Sequence, residues 1–240
     1  MAWWENWFGE EYLELYPHRD LASARREVAF ALARLDPNPQ PLLDLCCGTG
    51  RHSLRLVEKG ISPVGLDYSA PLLELARMRN ERLPLVRGDM RRLPFSDGSF
   101  HSVINFFTSF GYFLAEEDNR AVLAEVRRVL WPGGQFLCDT FGLEEVLSRL
   151  VPEESRRTGD REYRIRRRWN PKTRRIEKEI EVTRGSSTET FRESVRGYTS
   201  EELMQMTEGA GLKVEGLWGD FDGCPAGPSS PRLILLASKK

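Results

Sequence analysis

Short apolar runs alternate with amphipathic, helix-like stretches through most of the chain. The runs occupy residues 41–45, 61–66, 83–90, 102–107 and 135–140, with two more at 213–218 and 232–238. Continuous apolar runs of this length, bounded by Gly, Pro or Asp, are typical of buried parallel strands. Strands that alternate with helices predict an α/β fold with a doubly wound, mostly parallel sheet of seven strands.

A different pattern interrupts this alternation in the second half of the chain. Residues 161–196 are highly charged and alternate apolar with polar positions, and 170–173 read as a hairpin turn. This pattern predicts an inserted antiparallel sheet with one face in water. Its arginines favour cross-strand ion pairs with neighbouring glutamates, and contact with RNA or an anionic substrate is the alternative.

The elements fit a single domain over residues 1–240. We expect an N-terminal aromatic lid and helix (1–36), a ligand-binding core (40–142), the inserted sheet (156–198), and a C-terminal helix with the last two strands (199–240). The N-terminal segment contains three of the six tryptophans within its first seven residues. So much aromatic surface is costly to leave in water, so the segment is expected to pack on the domain. It serves either as a lid over a ligand or as a docking segment.

Composition limits the function classes. With 35 basic and 36 acidic residues the formal net charge is −1, which argues against nucleic acid and membrane surfaces as partners. No apolar run approaches the roughly 20 residues that span a bilayer, and no signal peptide opens the chain. The four cysteines have no metal-binding spacing, so no metal is expected. They fit small buried groups in a reducing cytoplasm. We expect a monomer or a homodimer.

Candidate ligand-binding residues converge on one edge of the predicted sheet. The turn after the first strand contains Gly48 and Gly50, which let a ligand approach bare backbone before a helix begins. Asp67, Asp89 and Asn105 each lie at the end of a later strand. Because ligands of such sheets collect beyond the carboxyl ends of the strands, a nucleotide-like ligand is expected there.

Four motifs at this edge resemble those of class I S-adenosylmethionine-dependent methyltransferases, which have a Rossmann-like fold. They lie at residues 43–50, 65–69, 88–95 and 130–134. The resemblance implies S-adenosylmethionine as cofactor, with S-adenosylhomocysteine as product. A fainter similarity, at residues 88–90 and 109–112, to N-methyltransferases of glycine and amino sugars implies a small-molecule acceptor with an amine nitrogen.

The resemblance also implies residue roles. Asp44 and the backbone of Gly48 would hold the methionine part, Asp67 the ribose hydroxyls, Asp89 and the Met90 backbone N–H the adenine, and Asn105 would face the methyl group. Cys46, Thr49, Gly50 and Tyr68 complete the expected cofactor site. Cys46 stands where the family often has glycine, which exchanges one small residue for another.

Substrate contacts are expected from the aromatic segments, at Trp3, Trp7, Phe107, Phe110 and Tyr112. Methyl transfer from a sulfonium is a direct displacement that mainly needs an aligned, dry site, and a neutral amine needs no general base. For other acceptors the candidate bases or positioning residues are Tyr12, Tyr16, His18 and His52.

Three alternatives remain open at this point. An RNA or protein methyltransferase would use the arginine-rich insert, and a non-catalytic protein would bind the cofactor without an acceptor pocket. An NAD-dependent oxidoreductase would normally have Gly-x-Gly-x-x-Gly, whereas Ser53 takes the place of the third glycine here.

Overall fold

The computed structural model describes residues 2–16, 21–36 and 38–240. Its helices are α1 (Trp4–Trp7), α2 (Glu10–Leu15), α3 (Leu21–Leu32), α4 (Arg51–Glu58), α5 (Ala70–Arg79), α6 (Glu116–Val129), α7 (Leu143–Ser148) and α8 (Ser200–Gly209). Its strands are β1 (Leu42–Leu45), β2 (Pro63–Asp67), β3 (Leu85–Arg87), β4 (Phe100–Asn105), β5 (Leu130–Phe141), β6 (Glu153–Thr158), β7 (Arg161–Asn170), β8 (Arg175–Arg184), β9 (Ser187–Arg196), β10 (Leu212–Trp218) and β11 (Arg232–Lys239).

The main sheet has seven strands in the order β10-β11-β5-β4-β1-β2-β3. Strands β3, β2, β1, β4 and β5 pair in parallel, and β11 is antiparallel to its neighbours β5 and β10. All four residues of the central strand β1 are buried, as its apolar sequence requires. The predicted doubly wound, mostly parallel sheet is therefore confirmed.

The second sheet is antiparallel throughout, in the order β6-β7-β8-β9. Along β7, buried residues such as Tyr163 and Ile165 alternate with exposed ones, which confirms the two-faced pattern. Strand β6 was not predicted, because its sequence Glu-Glu-Ser-Arg-Arg-Thr offers no apolar alternation.

The outer face of the second sheet consists of paired charges. Each arginine in the middle of β7 lies next to a glutamate: Arg164 with Glu153 at 2.5 Å, Arg166 with Glu179 at 3.0 Å, Arg167 with Glu154 at 2.9 Å and Arg168 with Glu177 at 2.6 Å. The prediction of cross-strand ion pairs is confirmed for these residues. Paired surface charges offer little attraction to the phosphates of RNA.

Arg175 departs from that prediction, because its side chain is 3% exposed and points inward. The guanidinium donates hydrogen bonds to the carbonyl oxygens of Gly111 (3.0 Å), Tyr112 (2.9 Å), Phe113 (2.8 Å) and Ser194 (2.6 Å). It thereby holds the aromatic loop that follows β4 against the second sheet. Burial is the main reason that the pKa of Arg175 is lowered from its ordinary value.

The N-terminal aromatic segment packs on the second sheet. Trp7 and Leu15 are buried with Tyr163, Ile165 and Ile180 in one hydrophobic cluster. The Trp7 indole N–H also donates to Glu193 at 2.7 Å, so the ring is fixed at both its apolar and its polar side. Within the described ranges, no helix combines the length and the apolar character needed to cross a membrane.

Candidate active site

The glycine-rich turn joins β1 to α4 in a tight, left-handed path. Gly48 and Gly50 have φ of 55° and 72°, and Cys46 has φ of 62°. A positive φ is strained for a residue with a Cβ, which gives a physical reason why glycine suits the position of Cys46. A Cβ at Gly50 would lie 3.2 Å from Ala76, so this glycine lets α4 approach α5 closely.

Asp67 ends β2 directly beside the turn. One carboxylate oxygen accepts the backbone N–H of Gly48 and the other accepts that of Ser69, each at 2.8 Å. Burial raises the pKa of Asp67 to about 6, an effect that these two hydrogen bonds oppose and the charge of Asp44 reinforces. The turn and the acidic strand end therefore form one hydrogen-bonded unit.

A cavity of about 1010 Å³, including its mouth to solvent, opens at this edge of the sheet. We call it the first cavity. Twelve residues named from the sequence line it: Tyr12, Tyr16, Cys46, Gly48, Thr49, His52, Asp67, Tyr68, Asp89, Met90, Phe107 and Tyr112. The structure therefore brings together seven of the ten expected cofactor residues, two of the expected substrate residues and three of the candidate bases.

Two polar residues expected in the cofactor site point away from the first cavity. Asp44 is 1% exposed and accepts the Ser53 hydroxyl at 2.5 Å, and burial raises its pKa. Asn105 is buried and donates to the carbonyl oxygen of Leu45 at 2.9 Å. Both side chains bond groups beneath the sheet edge, and their expected ligand contacts stay predictions.

The remaining sequence-predicted residues lie elsewhere. Gly50 serves helix packing, and Phe110 is buried with its ring centroid 5.5 Å from that of Tyr198. Trp7 is buried against the second sheet. Neither Trp7 nor Phe110 lines the first cavity, and their expected substrate contacts stay predictions. His18 lies outside the residues that the structure describes.

A buried charge cluster connects α3 to the start of α4. The Glu27 carboxylate accepts a hydrogen bond from Nη1 of Arg51 at 2.7 Å, and the same oxygen, Oε2, lies 2.5 Å from Nε2 of His52. Burial alone would raise the pKa of Glu27, but the hydrogen bond and charge of His52, with those of Arg51, outweigh it and lower the pKa. His52 is thus engaged with a carboxylate on one ring nitrogen.

Asp89 forms a close ion pair with Arg91 at the wall of the first cavity. The Arg91 Nη2 atom lies 2.7 Å from Oδ2, and Nε lies 3.1 Å from both carboxylate oxygens. Burial tends to raise the pKa of Asp89, but the hydrogen bonds from Arg91 prevail and lower it. The carboxylate is therefore held ionised and in a fixed orientation.

A second cavity of about 760 Å³, including open space, adjoins the first. Four aromatic rings line both cavities: Phe8, Tyr12, Phe107 and Tyr112. Trp3 and Phe141 add further rings to the second cavity, and Ile176 and Val195 of the second sheet close its other side. Sequence analysis named neither Phe8 nor this second cavity.

A buried ion pair fixes the loop between the two cavities. Asp139, which is fully buried at the end of β5, binds Arg232 at 2.6 Å and accepts the backbone N–H of Phe107 at 2.8 Å. Phe107 and Thr108 have φ of 66° and 62°, which is strained for residues with side chains. The ion pair stabilises this strained turn, so Asp139 and Arg232 position the Phe107 ring.

A second polar cluster lies where the N-terminal segment meets the second sheet. Glu193 accepts hydrogen bonds from the indole of Trp7 and the hydroxyl of Tyr16, both at 2.7 Å, and binds Lys178 at 2.8 Å. Burial, and then the charge of Glu193, raise the pKa of Tyr16 well above its ordinary value. Tyr16 therefore stays protonated at neutral pH and is a hydrogen-bond donor rather than a base.

Sequence comparison matches residues 42–134 to the methyltransferase domain family. The chain is 26% identical over 243 residues to the putative methyltransferase YqeM of Bacillus subtilis, covering 97% of this chain and 96% of that protein. It is also 40% identical over 105 residues to the demethylmenaquinone methyltransferase of Corynebacterium kroppenstedtii, of whose length it covers 42%.

Solved structures show the same fold. The CcbJ methyltransferase of Streptomyces caelestis superimposes with a TM-score of 0.81 at 20% identity, over 98% of this chain and 99% of that one. CalS10, an amino pentose methyltransferase of Micromonospora echinaspora whose structure contains bound S-adenosylmethionine, has a TM-score of 0.70 at 23% identity, over 96% and 97%.

The domain match, the full-length relative and the sheet topology agree. Residues 42–134 form a methyltransferase domain, and the whole chain has the fold of solved S-adenosylmethionine-dependent methyltransferases. Two observations in the first cavity fit such a cofactor. The Asp67 carboxylate retains lone pairs for hydroxyl donors, and an amino nitrogen of the buried Arg51 has no hydrogen-bond partner among the described residues.

Proposed function

We propose that this chain transfers the methyl group to the amine nitrogen of a small molecule that enters through the second cavity. The observation that carries the proposal is the aromatic partition, the four rings that line both cavities. A methyl donor on one side and an acceptor on the other could meet at this partition. Its apolar rings would exclude water from the reacting atoms.

Residues of the first cavity divide the work of holding the cofactor. Asp67 accepts from the ribose hydroxyls, because its buried carboxylate is already oriented by Gly48 and Ser69. Asp89, fixed by Arg91, and the backbone of Met90 lie beside the adenine. The Gly48 backbone lies next to the amino-acid end. When bound, S-adenosylmethionine supplies a methyl group on positively charged sulfur.

The walls of both cavities favour an amine over an acceptor that must be deprotonated. Each acidic side chain is already engaged: Asp67 by two backbone N–H groups, Asp89 by Arg91, and Glu193 by Trp7, Tyr16 and Lys178. A neutral amine carries its own lone pair and needs none of them as a base. The sugar N-methyltransferases among the structural neighbours are consistent with this choice.

The lining of the second cavity favours a small molecule. Its walls are mostly aromatic and aliphatic side chains with a few charged groups, Lys178, Glu193 and Arg232, which is typical of small-molecule sites. A macromolecular acceptor would need a charged or extended surface instead. The arginines of β7 that could form one are paired with glutamates.

Methyl transfer from labelled S-adenosylmethionine tests this proposal. The acceptors are primary and secondary amines, amino sugars and phenols, with bulk tRNA and histones as macromolecular arms. We expect label in at least one amine, at a rate more than tenfold above the phenols. Label in tRNA or histones alone would overturn the small-molecule acceptor. Tight S-adenosylhomocysteine binding without transfer to any arm would indicate a non-catalytic protein.

The raised pKa of Asp67 predicts a pH-dependent affinity. Hydroxyl donors favour the ionised carboxylate, so binding should strengthen as pH rises through about 6 and level off above it. At pH 5 only about a tenth of the carboxyls is ionised, so S-adenosylhomocysteine should bind about tenfold more weakly than at pH 7.5.

Isothermal calorimetry across this pH range measures the effect, and proton release on binding near pH 6 provides a second readout. Asp44 and His52 lie nearby and could also contribute to a pH dependence. Asp67→Asn is therefore the matched control, because it removes the Asp67 carboxylate and keeps these two neighbours. The variant should lose the pH dependence as well as affinity. An equal slope in the variant would assign the dependence to another group.

A further inference from the structure

Arg51 is a buried cation on the wall of the first cavity with one amino nitrogen left unsatisfied. The residue is 7% exposed, and its Nη1 atom donates to Glu27 at 2.7 Å and to Ser23 at 3.1 Å. Its Nη2 atom is buried without a hydrogen-bond partner among the residues that the structure describes. A buried N–H donor without a partner is costly, so this atom marks a place where an acceptor belongs.

The neighbours of Arg51 leave its Nη2 atom without an anionic partner among the described residues. Within the part of the chain that the structure describes, the guanidinium pairs with one carboxylate, that of Glu27, and this carboxylate is shared with His52. The Phe107 ring stacks on the other side, with its centroid 4.9 Å from the Arg51 carbon Cζ. The guanidinium is thus fixed by a carboxylate and a ring, while Nη2 remains available for a ligand oxygen.

The amino-acid end of the cofactor carries an α-carboxylate, which needs a cation or hydrogen-bond donors that an acidic residue such as Asp44 cannot supply. Asp44 is hydrogen-bonded to Ser53 and does not line the first cavity. Arg51 does line it, directly after the glycine-rich turn. We propose that Nη2 of Arg51 binds the α-carboxylate of S-adenosylmethionine and of its product, with Glu27 as a positioning residue. This inference rests on the proposed function.

Two ligands that differ only in the carboxylate test this assignment. S-adenosyl-3-thiopropylamine retains the nucleoside, the thioether and the amine of S-adenosylhomocysteine but has no carboxylate. Calorimetry at pH 7.5 should show that the wild type binds S-adenosylhomocysteine about 10- to 100-fold more tightly than the amine. In Arg51→Met this ratio should fall to about twofold or less, with affinity for the amine changed by less than about threefold.

Two further variants separate binding from folding. Arg51→Lys keeps the charge but lacks the planar guanidinium that reaches Glu27 and the ligand with separate nitrogens, so it should restore only part of the ratio. Arg55→Met, one turn later on the same helix, removes contacts to Leu21 and Glu58 and should leave the ratio unchanged. Thermal unfolding of each variant confirms that it is folded at the temperature of the titration.

The outcomes distinguish this inference from the proposed function. If the wild type binds both ligands equally well, or if Arg51→Met weakens both equally, the carboxylate site is not at Arg51 although the cofactor site stands. If the wild type binds neither ligand, the proposed function fails and the assignment of Arg51 fails with it.

Discussion

Replacing Asp67 by asparagine should weaken S-adenosylhomocysteine binding by about 100-fold. A carboxylate that accepts two ribose hydroxyls contributes charge-assisted hydrogen bonds, each of about 1.5–3 kcal/mol, and the amide offers one acceptor in place of two. Calorimetry at pH 7.5 measures the loss directly. The ligand-induced rise in unfolding temperature should disappear at the same ligand concentration.

The Asp67→Asn variant should remain folded. Burial disfavours the charge of Asp67 in the ligand-free protein, as its pKa of about 6 shows, so a neutral amide relieves that cost and offsets the loss of one of the two backbone hydrogen bonds. Asp160→Asn is the matched control, because Asp160 is exposed and pairs with Arg184 at the far end of the second sheet. Unchanged affinity in Asp67→Asn would place the ribose elsewhere.

Replacing Arg175 by methionine should lower the free energy of unfolding by about 3–5 kcal/mol. The substitution keeps much of the apolar stem but removes a charged donor from each of the buried carbonyl oxygens of Gly111, Tyr112, Phe113 and Ser194. Urea denaturation followed by circular dichroism measures the loss. Hydrogen exchange should also become faster across residues 106–113.

Arg168→Met is the control for this experiment. Arg168 lies on the neighbouring strand, but its side chain is 77% exposed and its ion pair with Glu177 faces water. Such a pair is worth little, so the loss should stay within about 0.5 kcal/mol. Equal losses in the two variants would contradict the anchoring role of Arg175.

The sheet and the position of the first cavity could be predicted because they depend on local patterns. Apolar runs gave the strands of the main sheet, and the glycines of the turn have the positive φ that such residues permit. Asp67 and Asp89 lie on the cavity wall because the ends of parallel strands meet at one edge.

The direction of a polar side chain at that edge could not be predicted. Asp44 is drawn inward by the hydroxyl of Ser53, and Asn105 by the carbonyl of Leu45, and both are tertiary contacts without a sequence signal. Arg175 resembled its neighbours on the charged sheet, yet the aromatic loop supplies its guanidinium with buried acceptors. The strained turn at Phe107 and Thr108 has neither glycine nor asparagine to mark it.

Asp139 is different, because the pattern contained a signal for it. It is an acidic residue near the end of the fifth strand, at the same sheet edge as Asp67 and Asp89. Its ion pair with Arg232 joins two parts of the chain that are far apart in sequence. The acidic residue Asp139 at the strand end could therefore be noticed in the sequence, whereas its partner Arg232 could not be predicted.

A crystal structure of the complex with S-adenosylhomocysteine tests the central claim most directly. The account predicts that the ribose hydroxyls lie within hydrogen-bonding distance of the Asp67 carboxylate and that the ligand occupies the first cavity. The thioether sulfur should face the partition of Phe8, Tyr12, Phe107 and Tyr112. A nucleoside bound in the second cavity, or away from Asp67, would contradict the account.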